Sequence, residues 1–162
     1  MIVILMGVAG SGKTTVGRSL AQELGWAFYD ADDFHLPANV EKMRRGVALT
    51  DADRAGWLKT LRGLIDQLIA QRQNALLACS ALKRSYQAQL IGNGNDVRLV
   101  YLKASADVLQ KRLNERRGHF FNAQLLESQL ATLEEPIDAI TADAAKEPVT
   151  LVAEIRRALG IR

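Results

Sequence analysis

An apolar run, Ile2-Val3-Ile4-Leu5-Met6, leads directly into Gly7-Val8-Ala9-Gly10-Ser11-Gly12-Lys13-Thr14. The spacing G-x-x-x-x-G-K-[ST], placed after a buried strand and before a helical pattern, is a phosphate-binding loop, or P-loop. Each position has a physical task. Gly7, Gly10 and Gly12 let the backbone turn tightly and bring N–H groups against phosphate oxygens. Lys13 supplies a mobile positive charge for the β- and γ-phosphates, and Thr14 a hydroxyl for Mg²⁺. The helix beginning near Lys13 points its positive dipole end at the same phosphates. Val8, Ala9, Ser11 and Thr15 complete the predicted nucleoside triphosphate site. The alternative is a glycine-rich turn without a ligand, and the strand–loop–helix order argues against it. The motif says nothing about what receives the phosphate.

The rest of the chain repeats the same alternation. Short apolar runs at Ile2–Met6, Ala27–Tyr29, Ala75–Cys79 and Val97–Leu102, with a weaker one at Ala139–Ala142, read as buried strands. Helical patterns lie between them. Thr15–Leu24 ends at Gly25, a plausible C′ glycine. Pro37–Arg45 also reads as helical. Thr50-Asp51-Ala52-Asp53 resembles a capping box and opens a helix to about Gln71. Ser105 is positioned to cap Ala106–Arg116. Leu125–Leu133 and Val149–Leu159 follow, the last with Pro148 at its start. This order predicts an α/β sandwich with a mostly parallel central sheet, and its ligand beyond the carboxyl ends of the strands.

A length of 162 residues fits one domain, 1–162, with a core that needs no disulfides. The charge balance, 21 basic against 18 acidic side chains, forms no long basic block, so nucleic acid is not an expected partner. The single cysteine, Cys79, suits a reducing compartment and a buried strand position. Neither a membrane-spanning run nor a secretion signal is visible, which predicts a cytoplasmic enzyme with no membrane partner.

The informative residues follow the strands. Asp30-Ala31-Asp32-Asp33-Phe34-His35 leaves the second strand, and carboxylates at such an exit need solvent, a metal or a substrate. If the chain stays extended, Asp30 and Asp32 share one side. Asp30 would then serve Mg²⁺, and Asp32 would take the proton of an incoming hydroxyl. His35 is open between a substrate contact and a turn residue. The third strand runs into Cys79-Ser80-Ala81-Leu82-Lys83-Arg84, where Lys83 suits an anionic acceptor. Lys42, Arg44 and Arg45 lie just upstream of Asp51, Asp53 and Arg54. Arg112 and Arg116 share a helix face, and Gly118 then breaks the pattern before His119-Phe120-Phe121. Arginines beside a hinge suggest a lid that keeps water from the transferring phosphoryl group.

Taken together, GVAGSGKTT (7–15), DADDFH (30–35), NVEKMRRGVALTDADRAGWL (39–58), CSALKRSY (79–86), RRGHFF (116–121) and TLEEP (132–136) resemble the gluconokinase family of small P-loop kinases. The resemblance implies transfer of the ATP γ-phosphate to the 6-hydroxyl of D-gluconate with Mg²⁺, and often a homodimer. It implies a three-layer sandwich with a five-stranded parallel sheet, like nucleoside monophosphate kinases. It also implies an acceptor-binding helical region about 36–72 and a lid about 112–124. Carried over residue by residue, Lys13 and Thr14 meet phosphate and metal, and Asp30 and Asp32 meet metal and acceptor. Ser80 and Lys83 line the acceptor pocket, with Arg54 and His119 as further gluconate contacts. Lys42 and His35 belong with this group, and Arg112 and Arg116 face phosphate. The stretch Pro136–Ala142 is expected to help enclose adenine. Another kinase of polyhydroxy acids, such as a shikimate kinase, is the near alternative. A nucleotide-dependent switch is the distant one, and the Asn-Lys-x-Asp guanine motif of a GTPase is absent.

Overall fold

The computed structural model describes residues 1–116 and 123–161. Five parallel strands run in the order β2-β3-β1-β4-β5. They are β1 (Ile2–Met6), β2 (Ala27–Asp30), β3 (Ala75–Ala78), β4 (Val97–Lys103) and β5 (Ile140–Asp143). Every residue of β1 is buried, because helices cover both faces of the sheet and each alternate side chain needs an apolar neighbour. Ile2, Ile4 and Met6 pack with Trp57, Leu61, Ile65 and Leu90, from α3 (Asp51–Ala70) and α4 (Arg84–Ile91). Val3 and Leu5 face the opposite layer, with Val16, Leu20, Leu151 and Ile155, from α1 (Lys13–Leu24) and α7 (Pro148–Ala158). The three-layer α/β architecture expected from the sequence is therefore present.

Sheet order creates the site. The chain moves from β1 to one side of the sheet for β2 and β3, then to the other for β4 and β5. The connections leaving the adjacent strands β1 and β3 therefore run to opposite faces of the sheet, to α1 and α4, and open a crevice beyond their carboxyl ends. The P-loop fills the floor of that crevice. A third apolar cluster, Val8, Leu82, Leu109 and Leu126, joins the P-loop to α5 (Ala106–Glu115) and α6 (Ala123–Thr132). No described helix is long and apolar enough to cross a membrane.

The predicted caps form. Thr50 Oγ1 accepts the Asp53 N–H at 3.1 Å, and the Asp53 carboxylate accepts the Thr50 N–H at 2.9 Å. Ser105 Oγ accepts the Val108 N–H. Two features differ from the sequence reading. The chain does not stay extended after β2: Ala31–Phe34 makes a 3-10 turn, because the Asp30 carboxylate accepts the Asp32 N–H at 3.0 Å and caps it. Helix α4 has no counterpart in the pattern, since its buried face includes a polar residue, Gln87. The Gln87 carboxamide nitrogen donates to the Ala81 and Glu134 carbonyls at 3.0 and 2.9 Å, so both N–H groups find protein partners.

Candidate active site

Gly12 caps α1 at φ 92°, a left-handed conformation that a side chain would strain. Gly7 allows a close approach: a Cβ there would lie 2.6 Å from Ser11 Oγ and 2.9 Å from the Leu102 carbonyl. Lys13 extends back along the loop and donates to the Val8 carbonyl at 3.1 Å. Burial lowers its pKa, opposed by the charges of Asp32 and Asp30. Thr14 Oγ1 donates to Asp30 Oδ2 at 3.0 Å, so the P-loop hydroxyl and the β2 carboxylate meet at one point. Asp30 thereby performs two tasks, one oxygen on Thr14 and the other capping the 3-10 turn.

The turn presents Asp32 to the cleft from beside Asp30, in place of the shared extended-strand side that the sequence suggested. Although its side chain is 80% exposed, desolvation at the cleft floor, followed by the Asp30 charge, raises the Asp32 carboxyl above its ordinary range, with Lys13 opposing. A carboxylate with a raised pKa is a better proton acceptor. His35 stacks on Trp57 with ring centroids 4.3 Å apart. Its side chain is only 4% exposed, with Nε2 3.8 Å from Asp32 Oδ1. Desolvation and then Arg54 lower the His35 pKa to about 4, so the ring is neutral at physiological pH. Among the described residues its buried Nδ1 has no hydrogen-bond partner. Trp57 is fixed in turn by a 2.7 Å bond from Nε1 to the Ala31 carbonyl.

These groups share one cleft of about 920 Å³, whose walls include Lys13, Thr14, Asp30, Asp32, His35, Arg54, Ser80, Lys83 and Arg116. Lys83 binds both oxygens of Asp51, at 2.8 and 3.0 Å, and the Tyr86 hydroxyl donates to the same carboxylate. Hydrogen bonds from Lys83 and Tyr86 hold the Asp51 carboxyl below its usual range. Arg54 lies 5.6 Å from the Tyr86 ring. A second cavity of about 270 Å³ adjoins the P-loop and is lined by Gly10, Gly12, Thr15, Arg112, Arg116, Lys146 and Pro148, among others. Arg112 donates to the Gly10 and Ala144 carbonyls, at 3.4 and 2.5 Å. The cavity is lined by Ala144, Lys146, Glu147 and Pro148, and Pro136–Ala142 is not part of its lining.

Lys42 does not reach the cleft. It spans from α2 (Pro37–Arg44) to α3 and binds both Asp53 oxygens at 2.9 Å, next to an Asn39-to-Asp53 carbonyl bond of 2.8 Å. Its charge neutralises the capping-box carboxylate and contributes to a pKa of about 2 for Asp53. His119 lies outside the described residues, as does the Arg117–Asn122 part of the expected lid. Cys79 is buried, which pushes its thiol up to about 12 and leaves it unreactive. Sequence reasoning missed Asp51, Tyr86 and Gln129. Asp51 looked like a helix-start acid, Tyr86 lies on the unpredicted α4, and Gln129 had no local pattern around it.

A family model described as Shikimate kinase matches residues 9–159. The gluconokinase of Gluconobacter oxydans is 46% identical, over 96% of this chain and 89% of that protein. Among solved structures, a sugar kinase from Janibacter sp. HTCC2649 aligns with a TM-score of 0.92 and 41% identity, covering 99% of this chain and 94% of that one. A gluconokinase from Sinorhizobium meliloti aligns with a TM-score of 0.86 and 38% identity, covering 98% and 90%. The shikimate kinase of Aquifex aeolicus shares the fold, at 21% identity and a TM-score of 0.58. The chain therefore belongs to the family that the shikimate kinase model describes and, within it, to the gluconokinases.

Proposed function

We propose that this chain phosphorylates the 6-hydroxyl of D-gluconate with the γ-phosphate of ATP. The observation that carries the reading is the meeting of donor and acceptor chemistry in one cleft: Lys13 and Thr14–Asp30 on the floor, with Asp32 beside them. A nucleotide switch has no use for a proton acceptor there.

The P-loop amides other than that of Ala9, which donates to Gln129, cradle the phosphates, and Lys13 exchanges the Val8 carbonyl for β- and γ-phosphate oxygens. Arg112 and the loop at 144–148 form a slot beside the P-loop that suits the adenine base, and Arg116 faces both cavities. Thr14 and Asp30 fit Mg²⁺, a hard cation that takes one or two protein oxygens and completes its shell with phosphate and water. Their 3.0 Å contact already joins a hydroxyl to a carboxylate. Held by Thr14 and Asp30, such an ion would neutralise charge on the transferring phosphoryl group. Asp32 accepts the acceptor's hydroxyl proton. Arg54, Ser80, Lys83 and His35 orient the remaining hydroxyls and the carboxylate of the sugar acid. The 36–72 region forms the acceptor wall, and Arg112 and Arg116, at the start of the 112–124 segment, border the cavities. Cytoplasmic location and a homodimer belong to the same proposal.

A coupled ADP-release assay across gluconate, other sugar acids, shikimate and nucleoside monophosphates tests it. Gluconate is expected to give the highest kcat/KM. A rate with gluconate no higher than the acceptor-free background would remove the substrate assignment, and faster turnover of shikimate would replace it.

A further inference from the structure

The peptide unit between Val8 and Ala9 is held from both sides. Its carbonyl accepts from Lys13 Nζ at 3.1 Å and from the Ser11 N–H at 3.2 Å. Its N–H donates to Gln129 Oε1 at 2.9 Å, a contact across 120 positions of sequence. In a trans peptide the carbonyl and N–H point in opposite directions, so Lys13 and Gln129 act on one rigid plane from opposite edges. The Val8 side chain, packed with Leu126, fixes the start of that plane.

Gln129 is itself held firmly. It lies on α6, whose far end is tied to the acceptor side of the cleft. The Glu134 N–H donates to the Leu82 carbonyl at 2.7 Å, and Gln87 bridges the Ala81 and Glu134 carbonyls. The same α6 face borders the main cleft through Leu125, Ser128, Gln129 and Thr132. A helix anchored at the acceptor loop thus places one carboxamide on the donor loop.

We infer that Gln129 is a positioning residue for Lys13: by accepting the Ala9 N–H it fixes the Val8–Ala9 peptide and with it the starting position of the lysine ammonium. Only an oxygen can meet an N–H, so the carboxamide has one useful orientation here, with its oxygen on Ala9. Lys13 must travel from the Val8 carbonyl to the β- and γ-phosphates, and a peptide free to rotate would add an ordering cost to that move. Lys13 meets the γ-phosphate as well as the β-phosphate, so the effect is larger for a triphosphate than for ADP, which lacks the γ end. This inference rests on the donor-site reading of the P-loop and not on the identity of the acceptor.

The test compares Gln129→Leu, which removes the acceptor oxygen, with Gln129→Glu, which keeps one. Gln129→Leu is expected to lower kcat about 10- to 100-fold with the gluconate KM little changed. It is also expected to weaken binding of the non-hydrolysable analogue AMP-PNP more than binding of ADP. Gln129→Glu is expected to recover most of the loss. Unchanged kcat in Gln129→Leu would overturn the inference. So would an equal loss of ADP and AMP-PNP affinity, or a Gln129→Glu enzyme as slow as the leucine variant. Hydrogen exchange in the unsubstituted protein needs no variant to fold: the Ala9 amide is expected to be protected, and exchange at the open-loop rate would overturn the bond. The nucleotide comparison stands without any acceptor, so failure of gluconate as substrate is read separately, from wild-type turnover.

Discussion

The two halves of the cleft are built on different principles. The donor half is a continuous stretch, 7–15, shaped by backbone: glycine conformations and a helix start. The acceptor half is assembled from the turn after β2, the head of α3 and the loop after β3. There the charged side chains are paired with one another, Lys83 with Asp51 and Tyr86 with the same carboxylate. A phosphate can enter the donor half by displacing little more than the Lys13–Val8 contact. A sugar acid entering the acceptor half must compete with an existing ion pair. Donor recognition is therefore preset, while acceptor recognition requires exchange of partners, and this makes the acceptor half the more sensitive place for selectivity.

The largest expected effect lies where the halves meet. Asp32→Asn removes the proton acceptor while preserving shape, so kcat should fall by about 10²–10⁴-fold and ATP affinity should hold, measured by ADP release and nucleotide titration. Transfer at the wild-type rate would move the base elsewhere. The pH profile carries the same assignment. Desolvation and Asp30 raise the Asp32 pKa above 3.8, so the carboxylate protonates sooner than an ordinary aspartate as pH falls. A protonated Asp32 accepts nothing, and the rate should decline on the acid side at a pH above that of a free carboxyl. His35, with a pKa of about 4, adds no step near 6.5.

On the donor side, Lys13→Ala should lower kcat by about 10²–10³-fold, the scale seen when one preorganised donor to developing charge is removed. Near-normal turnover would refute the role. The loss should be the same whichever acceptor is used, because Lys13 belongs to the preset half.

The two halves were also unequally legible. The P-loop is read from eight consecutive residues because its chemistry is local backbone geometry. The strands and the Thr50–Asp53 capping box were visible for the same reason: periodicity and caps act over a few residues. Asp32 was identified, but its geometry was not, since a single hydrogen bond from its N–H to Asp30 converts the expected extended segment to a 3-10 turn. Asp51 and Tyr86 escaped because their meaning depends on Lys83, 32 positions from Asp51. Lys42 and Lys83 looked alike in sequence, and only tertiary contact separates a lysine that braces two helices from one that lines the cleft.

That pair of lysines gives the finest test of the comparison. Lys83→Ala should raise the gluconate KM about tenfold, the equivalent of one charge-assisted hydrogen bond, with the KM for ATP unchanged. Lys42→Met should leave both KM values close to wild type. The Lys42–Asp53 pair is partly exposed, with side chains 44% and 18% accessible, so solvent screens it and its loss should cost little stability at neutral pH. Its signature is instead in pH. Hydrogen bonding to Lys42 and Thr50 depresses the Asp53 pKa to about 2. The associated stability is complete above the unfolded value of 3.8 and is lost as pH falls through the folded one. Lys42→Met should therefore flatten the acid decline in Tm between those values while turnover at neutral pH is preserved. A Lys42→Met enzyme with a tenfold higher gluconate KM would place Lys42 in the acceptor site after all. The α2–α3 brace would then have to open during the reaction, bringing the same partner exchange to a second ion pair.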